Sequence, residues 1–194
     1  MGNKTQLRVT PAFYITLAIS VLLIPIKWVV AWFAAILVHE SFHYIALKMC
    51  GLPVNKVELG QLGAQMNTVP MSGWKEAVCS AAGPIGSLLL ILMSTVFPRL
   101  ALCGAFHGIF NLLPIYPLDG SRILHGCVGK YRVGRILLEV LEVTVLLLLI
   151  LLSLWSTLKL SVGPIPLIVC FFLVLRWVKN KNSLQRWRSG ATIE

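Results

Sequence analysis

Apolar residues in this chain come in long runs rather than in alternation. Six runs, near 11–26, 28–48, 73–97, 99–114, 137–158 and 160–178, are bounded by charged or turn residues. A helix crosses a bilayer core with about 20 mostly apolar residues, so the pattern predicts an all-α polytopic membrane protein with about six transmembrane helices. The first run follows Lys4 and Arg8, yet it leads through Lys27-Trp28 straight into another apolar run. With no small-residue cleavage site between them, it is expected to be a retained span rather than a signal peptide. Two segments between runs are long enough to matter. Residues 50–72 carry Gly51, Gly60 and Gly63 and alternate loosely around Val57-Glu58-Leu59, which predicts a short β-hairpin at the membrane surface. Residues 114–136 open with Pro114 and Pro117, which cannot continue a helix, and go on as a basic, partly amphipathic stretch. One membrane-embedded domain over 1–194 is expected, with C-terminal helices within 137–178 and a short basic tail at 179–194.

Composition agrees and excludes other classes. Of 194 residues, 57% are hydrophobic and 12% charged, against roughly 45–50% and about 25% in soluble domains. An ordinary soluble globule and a disordered chain are both excluded. Five cysteines, an odd number with no C-x-x-C pair, argue against a disulfide framework and for small buried hydrophobes. The net charge of +10 would suggest nucleic acid in a soluble domain. Placed on the six spans with both termini cytoplasmic, however, 14 of the 17 Lys and Arg fall inside and only Lys27, Arg99 and Lys159 outside. That asymmetry is the positive-inside bias. It predicts an integral protein of a bacterial cytoplasmic-type membrane, a hairpin on the cytoplasmic side, and no nucleic-acid partner.

The polar residues inside the runs carry the chemistry. An ionisable side chain within a span costs about 2.5 kcal/mol or more, so its presence points to function. The second run contains His39, Glu40 and His43. Residues 39 and 43, four apart, stack two imidazoles on one helical face. This is H-E-x-x-H, in which the histidines bind zinc and the glutamate serves as general base. A tetrahedral catalytic zinc needs a third protein ligand and an open position for water. Candidates are Glu58, Glu76, His107, Asp119, His125, Glu139, Glu142 and the cysteines. Asp119 stands out because Pro114 and Pro117 break the fourth span and Gly120 allows a sharp turn after the carboxylate. A plain turn aspartate is the competing explanation.

These residues resemble the site-2 proteases, intramembrane zinc metalloproteases. The resemblance lies in His39-Glu40-Ser41-Phe42-His43, in Asn111 to Gly120 as N-x-x-P-x-x-P-L-D-G, and in Ala82-Gly83-Pro84-Ile85-Gly86-Ser87, where Ser87 replaces the family's Asn. It covers roughly residues 30–125, and implies a three-helix catalytic core at about 28–125. Within the family the chain is most similar to the stage IV sporulation protein FB type. That branch implies a membrane-associated substrate, a sigma-factor precursor in sporulation, and inhibitory membrane partners. The sequence carries no CBS domain, so nucleotide control is not expected. Phe42 stands where the family often has Gly, which implies different packing around the metal helix.

Carried onto matching positions, the family's roles make His39, His43 and Asp119 the Zn2+ ligands and Glu40 the catalytic base. Asn111 would steady the oxyanion or the substrate backbone, with a helix-packing role as the alternative. His107 is expected to pack within the bundle. Two other readings use the same residues: a non-catalytic protein that binds membrane clients, and a small metal or proton transporter with a His/Asp relay. The intact Glu40 speaks against the first, and the Pro-Leu-Asp-Gly segment against the second.

Overall fold

A computed structural model describes residues 6–60, 63–68, 71, 73–160 and 163–188. Its contacts divide the chain into two compact units, Met1–Leu112 and Leu113–Glu194.

The first unit contains strands β1 (Gln6–Val9), β2 (Val54–Gly60) and β3 (Gly63–Thr68) and helices α1 (Pro11–Leu23), α2 (Ile26–Met49), α3 (Trp74–Leu89) and α4 (Pro98–Asn111). Three of these helices, α2, α3 and α4, pack against one another. Small residues make the close approach possible. Buried positions on α3 are Cys79, Ser80, Gly83, Pro84, Gly86 and Ser87, and α4 presents Gly104 and Gly108. Without a hydrophobic driving force in lipid, helices associate through such small faces, where backbones come close. At one end Ala31, Ala35, Leu90 and Cys103 form a buried cluster. At the other, Leu47, Val54 and Cys79 seal the sheet against α2 and α3.

The sheet runs β1-β2-β3. Strands β2 and β3 are antiparallel, with a register irregularity between Val54 and Lys56. β1, parallel to β2, was not anticipated: its four residues look like the basic flank of the first span, and only pairing with a distant strand fixes their conformation. Thr10 ties the start of α1 to this sheet, its backbone N–H and its hydroxyl both donating to the Leu59 carbonyl. On β2, the Lys56 ammonium donates to Glu58 Oε1 at 2.7 Å, and Arg8 lies 3.7 Å from the same oxygen. The hydrogen bond from Lys56 and the two cations hold the Glu58 carboxyl below its usual value. A depressed carboxyl stabilises the fold above its unfolded pKa and loses that contribution as pH falls through the folded value. Amide exchange in β1 and β2 is therefore expected to accelerate below about pH 4.5, the ordinary value, and Glu58→Gln to flatten the change. An identical acid profile in the variant would refute the assignment.

The second unit consists of α5 (Asp119–Val128), α6 (Arg132–Lys159) and α7 (Ile165–Arg188), with α6 packed on both neighbours. The stretch from Leu113 to Leu118 that precedes α5 contains a cis Tyr116–Pro117 bond. Residues 119–128, expected only as part of an amphipathic basic stretch, form a regular helix.

Among the described residues, three helices are long and apolar enough to cross a membrane: Ile26–Met49, Trp74–Met93 (α3 with its short 3-10 extension) and Arg132–Lys159. The apolar runs at 11–26 and 99–114 exceed the helices they produce, 13 residues in α1 and 14 in α4, because Pro25 and Pro114 interrupt them. At 1.5 Å per residue such helices reach only about 20 Å. Leu137, Val140, Leu147, Leu148, Leu151 and Leu152 of α6 are exposed. That surface suits lipid and would be a liability in water. All five cysteines are free.

Candidate metal centre

Because α2 is continuous through residues 39–43, His39 and His43 sit one turn apart on its α3-facing side. Their rings meet edge to face, centroids 4.7 Å apart. Each ring is held at its rear nitrogen. His43 Nδ1 lies 2.7 Å from the Cys79 carbonyl oxygen, and His39 Nδ1 lies 2.8 Å from Ser87 Oγ. A carbonyl only accepts, so His43 carries its proton on Nδ1 and presents a lone pair at Nε2. The same tautomer of His39 donates to the serine hydroxyl. The two Nε2 atoms then converge at 3.1 Å.

That separation tests whether a metal fits. Two lone pairs 3.1 Å apart repel unless a cation lies between them. Zn–N bonds of about 2.0–2.1 Å at a tetrahedral angle place two ligand nitrogens about 3.3 Å apart, close to the observed value. Fixing the rear nitrogen of a ligating histidine is the usual arrangement around such metals. Asp119, the third ligand expected from the sequence, lies in the second unit. Asp119 is itself buried, as the first residue of α5. Glu40, next to His39 on α2, is half-buried.

The site depends on residues with no chemistry of their own. A Cβ added at Gly83 would overlap His43 Nε2 and come within 2.7 Å of His39 Nε2. Gly83 is therefore the gap in α3 into which both imidazoles fit. Gly86 does the same for Phe42, whose ring lies where a Cβ at 86 would be. The bulk at Phe42 is thus accommodated by a glycine one turn away on the neighbouring helix. Ser87 is fully buried, and a Cβ at Gly108 would lie 2.9 Å from its Cβ. This slot fits a serine, whose hydroxyl is in direct contact with His39. Ser87→Ala leaves His39 Nδ1–H without its acceptor. A loss of about 10–100-fold in metal affinity is expected, measured by chelator competition. Unchanged affinity would show that the serine does not orient the ring.

The other candidates have different engagements. Glu58 is engaged by Lys56 on the sheet. His107 packs edge-on against both His39, at 4.6 Å between centroids, and Trp32. Asn111 directs its amide to the His107 carbonyl at 3.0 Å and to His107 Nε2 at 3.2 Å, so its hydrogens serve its own helix. His125 and Glu142 pair with each other in the second unit at 3.5 Å. Ser87, Gly83 and the Cys79 carbonyl were not singled out as the partners of the histidines. The visible signal was small residues four apart, at 79, 83 and 87, within an apolar run.

Two anchored histidines and an adjacent glutamate on a helical, membrane-compatible scaffold make a candidate metal centre. Residues 71–154 match the model of Peptidase family M50. A zinc metalloprotease of Methanocaldococcus jannaschii is 29% identical over 151 residues, 67% of this chain and 44% of that protein. The chain thus spans less than half the length of that curated relative. A solved site-2 protease from Methanocaldococcus jannaschii superimposes with a TM-score of 0.65 at 22% identity, covering 89% of each chain, and shows the same fold. Over residues 71–154 the chain thus resembles Peptidase family M50, and it shares its fold with a solved site-2 protease.

Proposed function

We propose that the protein is a zinc metallopeptidase that hydrolyses peptide bonds of membrane-associated proteins near the cytoplasmic face. The observation that carries this reading is the convergence of two anchored imidazole Nε2 atoms at 3.1 Å beside a glutamate. His39 and His43 would hold the ion, and Asp119 would be the third ligand. Zinc supplies a Lewis acid that makes water nucleophilic near neutral pH. Glu40 takes the proton of the attacking water and returns it to the leaving amine. A spare carboxylate beside two ligands suits hydrolysis better than a transport relay.

Helices α1, α4 and α7 would lie in the membrane with α2, α3 and α6, and both termini would be cytoplasmic by the distribution of Lys and Arg. A peptide bond in a helix is shielded by its own hydrogen bonds, so the substrate must be extended before attack. β3 ends the sheet order and would offer its free edge to such a strand. A sigma-factor precursor is one candidate substrate, on family resemblance alone.

The test uses the full chain purified and placed in lipid vesicles with membrane-anchored substrates, a sigma-factor precursor among them. About one zinc per chain is expected, with cleavage stopped by a chelator and restored by zinc. A chain that binds no zinc, or that cleaves equally after chelation, would refute the reading.

A further inference from the structure

Among the described residues of the second unit, Glu142 is, apart from Asp119, the buried charged side chain. Glu142 lies on α6, within a candidate span, and is only 6% exposed. Glu139, one turn earlier on the same helix, is exposed. Both Glu142 oxygens are occupied. Oε1 accepts from the Ser121 hydroxyl and lies 3.5 Å from His125 Nε2, while Oε2 accepts from the Trp177 indole N–H at 3.1 Å. One carboxylate thus joins α5, α6 and α7.

The attachment on α5 is specific in its position. Ser121 and His125 are four residues apart, on one face, and both meet Glu142. Asp119 is the first residue of α5 and Gly120, with no side chain to anchor it, is the second. Ser121 is therefore the first side chain after Asp119 that can brace this turn. At about 100° per residue, Asp119 projects roughly 200° away from Ser121, so the brace holds the turn without competing for the aspartate. A network whose members are all satisfied fixes one geometry, whereas a buried carboxylate without partners would be costly.

We propose that Glu142 is a positioning residue: through Ser121 it holds the first turn of α5 and so sets the Asp119 carboxylate for the metal. This inference rests on the metallopeptidase reading above, in which Asp119 is a ligand. Glu142 acts through Ser121, and its influence passes through the α5 backbone.

The test compares the wild-type full chain with Ser121→Ala, Glu142→Leu, Glu142→Gln and Asp119→Asn. Zinc affinity is measured by chelator competition, and the Co2+-substituted protein by its visible spectrum. Ser121→Ala and Glu142→Leu are expected to lower zinc affinity about 10–100-fold and to shift the cobalt bands. They should also reduce kcat with KM unchanged. Glu142→Gln is expected to fall between them and wild type, since its carbonyl still accepts from Ser121 while its amide opposes the Trp177 N–H. A merely structural role would lower Tm equally with and without zinc and leave the cobalt spectrum as in wild type. If Glu142→Leu does not fold, Ser121→Ala decides, because it removes one oxygen from a packed site. Folded Ser121→Ala with wild-type affinity and spectrum would overturn the proposal. Equal zinc binding by wild type and Asp119→Asn would instead overturn the ligand assignment on which it rests.

Discussion

Glu40→Gln is expected to lower peptide hydrolysis by about 10²–10⁴-fold, the usual contribution of a general base, while the variant keeps its zinc. The two effects separate because Glu40 shares a helix with the ligands without being one. The amide is nearly isosteric with the carboxylate, so the helix keeps its packing. His39 and His43 keep their anchors at Ser87 and the Cys79 carbonyl, since neither contact involves residue 40. What the glutamine lacks is a site to receive the proton of the attacking water. The measurement pairs metal analysis with cleavage of a membrane-anchored substrate. Equal cleavage by both proteins, each with about one zinc per chain, would show that another group takes the proton. Loss of zinc in the variant would show that Glu40 belongs to the ligand set.

The meeting of His39 and His43 was legible because H-E-x-x-H is local. Spacing of three and four on one helix determines which side chains meet, whatever the rest of the chain does. The break between α4 and α5 was legible for a related reason: two prolines and a glycine around Asp119 restrict the backbone within ten residues. What holds the histidines was not legible. Ser87 and the Cys79 carbonyl become their partners only because α3 packs on α2 in one register, 36 to 48 residues away. Nothing in an apolar run of small residues announces that register. The same holds for β1, whose four residues gain a conformation from β2. It holds also for Glu142, which as a residue was visible inside an apolar run, although its link to α5 through Ser121 was not. Helix ends depart from the apolar runs for a different reason. Hydropathy reports which residues tolerate lipid, and prolines at 25 and 114 end the hydrogen-bonded helix before the apolar run ends.

Gly83→Ala is expected to cost more zinc affinity than any substitution outside the ligands, at least about 100-fold, with activity falling in parallel. By propensity alone the change should help, since Ala is favoured over Gly in a helix by about 1 kcal/mol. Sterics oppose it. The added methyl group would overlap the His43 imidazole and stand 2.7 Å from His39 Nε2, and these are the atoms that must converge on the ion. Either α3 retreats from α2, breaking the Ser87 and Cys79 anchors, or the rings rotate away from each other. Overpacking of this kind costs about 1–3 kcal/mol in stability, less than the loss of two ligand orientations costs in binding. The variant should therefore fold and fail to hold zinc. Gly51→Ala supplies the contrast: its φ of +71° strains any side chain, yet nothing lies within 4 Å of the added Cβ. It should destabilise the fold and leave zinc affinity unchanged. Were Gly83→Ala to bind zinc as tightly as wild type, the close seating of both imidazoles against α3 would not be what positions them.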